Sequence, residues 1–167
     1  MTDAAQLAGL VRAAQRGDGL AMAELLDALA PAVGRWCGPI ALQDAEDAGQ
    51  EAMIAILRGL RGLREPAALF GWARAIAVRE AVRVARRAAR EQPAVLGDLP
   101  APGDPMLAAD IQDVLSRLAP EHRAVLMLRD LEGLDERTAA ALLGVPAGTV
   151  KSRLARARAS FRKGWQA

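Results

Sequence analysis

In 167 residues there is no tyrosine, and there are only two phenylalanines, three tryptophans, one cysteine and one histidine. A single cysteine forms neither an intrachain disulfide nor a cysteine-rich zinc site. A single histidine leaves no set of ligands at metal-binding spacing, and no partner for a histidine-based acid–base dyad. No Ser/His/Asp set and no glycine-rich phosphate loop is present. The inventory therefore argues against an enzyme, against a catalytic residue, against a resident cofactor and against a metal site. No window approaches ~20 uncharged apolar residues, and the N-terminus carries no basic segment followed by an apolar run. The expectation is a cytoplasmic protein with no membrane insertion.

Alanine, leucine and arginine dominate, and 52% of the residues are hydrophobic. All three rank high in helix propensity, while the β-branched and aromatic residues that favour strands are few. An all-α fold follows. Proline and glycine crowd between Gln92 and Pro105, where Pro93, Gly97, Pro100, Pro102, Gly103 and Pro105 stand beside Asp98 and Asp104. Prolines this dense stop a helix and stiffen an extended chain. They divide the sequence into two small helical domains, 1–92 and 106–167, with a linker over 93–105. Fully stretched, such a linker reaches roughly 40 Å.

Net charge is only +2, and its distribution is more informative than its size. From Asp44 to Leu57 there are four acids and no base. From Trp72 to Arg90 there are six arginines against the single acid Glu80. From Pro146 onward Lys151, Arg153, Arg156, Arg158, Arg162 and Lys163 face no acid at all. An acidic helix followed by two basic ones implies separate partners, one basic and one a polyanion.

Periodicity and breakers place the helices. The first runs from Asp3 to Arg16, and the second from Leu20 to Cys37, weakened by Pro31 and Gly34 and ended by Gly38-Pro39. Asp44 opens a third as N-cap, with Asp47 at the third helical position of a capping-box-like start. Gly59, Gly62 and Pro66 interrupt the chain before a long helix from Ala67 to Arg90. In the second domain helices are expected over Leu107–Leu118, Pro120–Leu131, Asp135–Leu143 and Ala147–Lys163.

The last two helices, joined through Gly144-Val145-Pro146, have the form of a helix-turn-helix. Ala139 and Ala140 allow close approach of the pair. At 100° per residue Val150, Leu154, Ala157 and Phe161 form one core-facing stripe. Ser152 points opposite, flanked by Lys151, Arg158 and Arg162 on one side and by Thr149, Arg153 and Arg156 on the other. A basic, hydroxyl-bearing face suits phosphates and base edges in a major groove. A solvated cationic helix is the plain alternative, because basic residues also favour helix C-termini. Six bases without an acid, directly after a helix and a glycine turn, weigh toward DNA.

The run from Leu115 to Leu134, then Leu142 to Arg158 with Gly148-Thr-Val-Lys-Ser-Arg153 at its centre, resembles region 4 of extracytoplasmic-function sigma factors. Asp44-Ala-Glu-Asp47-Ala-Gly-Gln50-Glu51 is similar to the segment of region 2 in that family. Phe70-Gly-Trp72-Ala-Arg-Ala-Ile76-Ala77, closed by Arg86-Arg87, resembles the start and end of its promoter-melting helix. By position, the resemblance implies that Thr149, Lys151, Ser152, Arg153 and Arg156 contact the −35 element. It implies that Arg74, Arg79, Arg83, Arg86 and Arg87 engage the −10 element. Asp47, Gln50 and Glu51, which share a helical face, would dock on the β′ clamp helices of core RNA polymerase. The β flap, promoter DNA and an anti-sigma factor complete the implied partners.

Two positions depart from the pattern: Arg79 stands where many members have Asn, and Arg83 where many have Asp. The family's pocket for a flipped −10 base lies in the variable loop near Leu60 to Leu69, so base preference does not carry over. Trp72 is a core anchor or a stacking platform, with the core the better expectation. The implied mechanism is binding without bond chemistry, with melting driven by capture of unstacked bases. Promoter elements about 17 base pairs apart are separated by roughly 58 Å of B-DNA, which two linked domains bridge and one small globule does not. A DNA-binding regulator of another kind, such as a response regulator, would need a receiver domain, and the N-terminal half shows no strand pattern.

Overall fold

The computed structural model describes residues 4–91 and 105–166, all of whose regular structure is helical. The helices are α1 (Ala4–Gln15), α2 (Gly19–Ala41), α3 (Ala45–Gly59), α4 (Leu69–Glu91), α5 (Pro105–Ser116), α6 (Pro120–Leu126), α7 (Glu136–Leu143) and α8 (Ala147–Trp165). The expected linker lies outside the described residues except for Pro105, which opens α5. The all-α expectation holds.

Helix α2 runs through all four of the residues expected to weaken or end it. Pro31, Gly34, Gly38 and Pro39 all lie inside it. A proline inside a helix costs about 3 kcal/mol, so something larger must compensate. Leu25, Leu29, Val33, Trp36 and Ile40 recur at helical spacing and are each at most 4% exposed. Burying each such side chain stabilises by about 1.5–3 kcal/mol, and the stripe together exceeds the proline penalties. Pro31 is itself exposed, so the carbonyl it leaves unpaired one turn back is on the wet side of the helix.

The helix ends at Leu42, where φ is 54° and the backbone N–H donates to the Gly38 carbonyl. With ψ at −118° this is a sparsely populated backbone conformation outside the left-handed helical region, and it costs a non-glycine residue on the order of 1–3 kcal/mol. The Leu42 side chain is 5% exposed, and its burial offsets that strain. The expected N-cap at Asp44 does not form. The chain enters α3 through a tight turn over Leu42–Asp44, with Asp44 at φ −93°, ψ 14° and no capping hydrogen bond from its side chain. Its backbone is close to helical, whereas a capping aspartate needs an extended one. Asp18 and Asp135 are the caps instead, accepting from Ala21 N at 3.1 Å and from Thr138 N at 2.7 Å.

The first domain packs α1 on α2 and brings α2, α3 and α4 together pairwise. Gln15 ties α1 to the loop after α3, donating to the Leu60 and Leu63 carbonyls at 3.0 and 2.7 Å. In the second domain α8 is packed by α5, α6 and α7. After Leu126 the chain widens into a π-helical turn, Met127–Leu131. The two domains are not apart. Helix α6 lies against both α2 and α4, α7 lies against α4, and one continuous apolar core runs through both.

The turn of the last helix pair depends on Gly144, which has φ 65° and ψ 35° and donates its N–H to the Ala140 carbonyl. Nothing lies within 4 Å of where a Cβ would be, so only the backbone conformation demands glycine. Gly144→Ala is expected to cost about 1 kcal/mol, seen as a lowered urea midpoint at constant m. An unchanged midpoint would refute this account of the turn.

Candidate nucleic-acid and polymerase interface

Helix α8 presents the face its spacing predicts. Val150 and Ala157 are fully buried and Leu154 is 6% exposed. Phe161, at the end of the stripe, is only half-buried and stacks on Trp165 with ring centroids 6.2 Å apart. Ala139 and Ala140 are buried where α7 meets α8, as close packing of the pair requires. Lys151, Ser152 and Arg156 are exposed, and no ion pair among the described residues holds Lys151 or Arg156. The Ser152 hydroxyl donates to the Thr149 carbonyl at 3.1 Å. Thr149 and Arg153 are half-buried at the margins. Arg158 is held by both carboxylate oxygens of Asp130, which leaves it less free than its neighbours.

The arginines of α4 do not share one surface. At 100° per residue Arg79, Arg83, Arg86, Arg87 and Arg90 lie within about 100° of one another, and Arg74 lies on the opposite side from Arg83. The structure agrees. A groove of about 630 Å³ between α4 and the helix-turn-helix is lined by Arg79, Arg83, Arg86, Arg87, Arg90 and Arg153. Val78, Val82, Leu143 and Val145 supply its apolar parts, and Glu121 its acid. Arg74 instead lies over Trp36, 6.0 Å from the ring centroid, and pairs with Glu132 at 3.1 Å.

Most of these cations already have carboxylate partners. Arg83 pairs with Glu80 at 2.6 Å and with Glu51 at 3.1 Å. Arg87 pairs with Asp47 at 2.7 Å, and Arg86 with Glu121. Arg79 has no ion pair among the described residues. Asp47 and Glu51 thus lean toward α4, whereas Gln50 is exposed at a shallow apolar cleft between α2 and α3, with Ala30, Val33 and Met53. Burial, then repulsion from Asp47, holds the nearby Asp44 carboxyl above its usual range.

Trp72 is half-buried against the core, its ring edge 3.0 Å from where a Cβ on Gly59 would be, so the core-anchor role holds. In the loop before α4 two tight turns, Leu60–Gly62 and Pro66–Ala68, bury Leu60, Leu63 and Pro66. Cys37 is fully buried, and burial, reinforced by Glu80, pushes its thiol up to about 12. Such a thiol is inert.

Sequence reading missed the residues that join the domains. Arg123 is 7% exposed, and its guanidinium donates to the Ile40 carbonyl of α2 at 2.7 Å and to the Leu118 carbonyl at 2.7 Å. Desolvation lowers its pKa to about 10, so it stays charged at neutral pH. Glu132 accepts from Trp36 Nε1 at 3.3 Å as well as from Arg74. Burial raises the Glu121 pKa, but its own backbone N–H and Arg86 outweigh that and leave it below the usual carboxylate range. Arg123 falls on the same helical face as the buried Met127, four residues on. An arginine in an apolar stripe was the available signal.

Two family models match: Sigma-70 region 2 over residues 25–91, and Sigma-70 region 4 over residues 108–161. The chain is 30% identical over 143 residues to the sigma-H factor of Pseudomonas aeruginosa, covering 74% of each chain. It belongs to the extracytoplasmic-function sigma factors of the sigma-70 family. The sigma factor SigM of Mycobacterium tuberculosis is 38% identical over 121 residues, 70% of this chain and 62% of its own length. The chain thus spans less than two thirds of that relative. A solved structure of the sigma factor RpoE in complex with the anti-sigma factor NepR, from Bartonella quintana, matches with a TM-score of 0.70. It covers 86% of this chain and 95% of that one at 22% identity, a likeness of fold. No described helix of this sigma factor is long and apolar enough to cross a membrane.

Proposed function

We propose that this sigma factor binds core RNA polymerase and directs initiation at promoters through two DNA contacts. The observation that carries this reading is the pairing in one chain of a region 2 match with a region 4 match whose last helix exposes Lys151, Ser152 and Arg156. Thr149, Lys151, Ser152, Arg153 and Arg156 read the −35 major groove, where lysine and arginine serve both phosphates and guanine edges. Arg79, Arg83, Arg86 and Arg87 follow the backbone of the separating −10 strands, and Arg74 joins them only from the other side of α4. Asp47, Gln50 and Glu51 meet the β′ clamp helices, and the second domain meets the β flap. The chain works in the cytoplasm by binding alone, with no cofactor. An anti-sigma factor is a further expected partner, because the fold matches a sigma factor solved with one.

Promoter-specific transcription by purified core polymerase with this chain tests the reading. Its absence, with DNA binding retained, would make the chain a DNA-binding regulator instead. The D47N/E51Q variant sharpens the test. The Asp47–Arg87 and Glu51–Arg83 pairs are about half exposed, so losing them costs folding at most about 1 kcal/mol each. Core binding is expected to fall at least about tenfold, with the thermal melt little changed. Full core affinity in that variant would remove the acidic face from the interface.

A further inference from the structure

The acids of α3 and the arginines of α4 form a ladder of two rungs within the first domain. Asp47 pairs with Arg87 at 2.7 Å. One turn on along α3 and one turn back along α4, Glu51 pairs with Arg83 at 3.1 Å. The four-residue spacing on each helix keeps both rungs on one face. Their side chains are between 37% and 51% exposed, so an incoming charged group reaches either partner without disturbing the core. The second rung is particular to this chain. Arg83 stands where many members of the family have Asp, and an aspartate there would repel Glu51.

The proposed function gives these four residues partners outside the chain: the clamp helices for Asp47 and Glu51, and the DNA strand for Arg83 and Arg87. In the free chain each is already held by its opposite number. A carboxylate and a phosphate use the same N–H groups of a guanidinium, and they repel each other when both approach it. A basic group of the polymerase placed on Asp47 and Glu51 neutralises them and frees Arg83 and Arg87 for phosphate. A phosphate on Arg83 and Arg87 frees Asp47 and Glu51 for polymerase. Both halves of the exchange have the same sign, as the reciprocity of coupled binding requires.

We propose that the Asp47–Arg87 and Glu51–Arg83 ladder is an exchange element, which couples polymerase binding on α3 to DNA binding on α4 by passing each charge from a partner in the chain to one outside it. This rests on the reading of the chain as a sigma factor. Neither helix has to move, only side chains at the surface. Exposed pairs are weak singly, so the coupling carried by the two rungs is modest, about three- to tenfold.

The test uses the full chain and reads the two binding events separately. For DNA the probe is oligo(dT), followed by anisotropy, because the arginines act on the strand's backbone. D47N/E51Q is expected to bind it about three- to tenfold more tightly than the unaltered chain. The control E24Q/D27N has the same net charge and is expected to gain clearly less. It neutralises two exposed acids of α2 that hold no ion pair among the described residues. Adding R83Q/R87Q to D47N/E51Q removes the gain. For polymerase, R83Q/R87Q alone is expected to bind core about three- to tenfold more tightly although it has lost DNA contacts. Its control is R12Q/R16Q, which removes two exposed arginines at the C-terminal end of α1. Damage to the fold weakens binding, so a gain in both variants separates exchange from a structural role.

An equal gain in D47N/E51Q and E24Q/D27N overturns the exchange, because net charge alone then accounts for it. So does a core affinity of R83Q/R87Q no higher than that of R12Q/R16Q. Failure of the parent reading looks different: the unaltered chain starts no promoter-specific transcription with core polymerase, and the coupling falls with that reading even where the oligo(dT) gain appears.

Discussion

Arg123→Ala is expected to destabilise the chain by roughly 3–5 kcal/mol, the range for breaking a buried charged interaction by removing one partner. The guanidinium reaches carbonyls in both domains, Ile40 at 2.7 Å in α2 and Leu118 at 2.7 Å, with Leu115 at 3.3 Å. Hydrogen bonds from a charged donor contribute about 1.5–3 kcal/mol each, and a buried carbonyl left without a partner costs about 1–3 kcal/mol. Set against this is the cost of burying the charge, visible in the lowered pKa of about 10 that desolvation produces. The charge is balanced by Glu121 and Asp44, which raise that pKa again but less than burial lowers it. The bonds outweigh the burial only while all the carbonyls are met.

Two companion variants separate hydrogen bonding from packing. Arg123→Met refills the space but satisfies none of the carbonyls, and most of the loss should remain. Arg123→Lys keeps the charge but lacks the planar fork that reaches separate acceptors, and should fall between the two. For a chain of this size 1 kcal/mol moves the melting temperature by about 2–4 °C, so Arg123→Ala should lower it by roughly 10 °C. A shift under about 2 °C would show that the guanidinium is dispensable and that α6 is held to α2 by apolar contact alone.

Arg123 also marks the limit of what could be read from the sequence. Periodicity is a local property, and it located what depends on neighbours three and four residues away. The core stripe Val150, Leu154 and Ala157, the close approach at Ala139 and Ala140, and the glycine turn at Gly144 all follow from such spacing. Two local expectations failed because tertiary structure overrode them. Burial of Val33, Trp36 and Ile40 carried α2 through Pro31 and Pro39, and the buried Leu42 set a turn that left Asp44 unable to cap. The contacts between the domains were out of reach for a different reason. Trp36 and Glu132 are 96 positions apart, and Arg123 and Ile40 83, with the Pro-rich stretch between them. That stretch pointed to two domains, but nothing in its composition tells whether they pack together. Charge asymmetry located the acidic and basic helices, yet not that Arg74 lies apart from the other arginines of α4, nor that Asp47 and Glu51 pair with Arg87 and Arg83 of the same chain.

The second large effect concerns the exposed face of α8. Reversing two charges in K151E/R156E is expected to weaken binding to a −35 duplex by roughly a thousandfold at moderate salt, since each lost contact of this type costs about 1–3 kcal/mol. These two residues are the cleanest choice on that face. Both are exposed and hold no ion pair among the described residues, so the folded domain loses little when they change. Arg153 is a poorer probe because it lines the groove shared with α4, and Arg158 because Asp130 holds it. Salt dependence assigns the role of each residue. A residue that meets only phosphate lowers the slope of log affinity against log salt by about 1 when it is neutralised, and weakens all sequences alike. A residue that meets a base edge changes the preference at one position and leaves the slope nearly intact. Lys151→Ala and Arg156→Ala, measured singly at several salt concentrations on matched and mismatched −35 sites, therefore divide the face into positioning and reading contacts. If K151E/R156E binds the −35 duplex within about threefold of the unaltered chain, the basic face of α8 is a solvated helix end and not the surface that reads DNA.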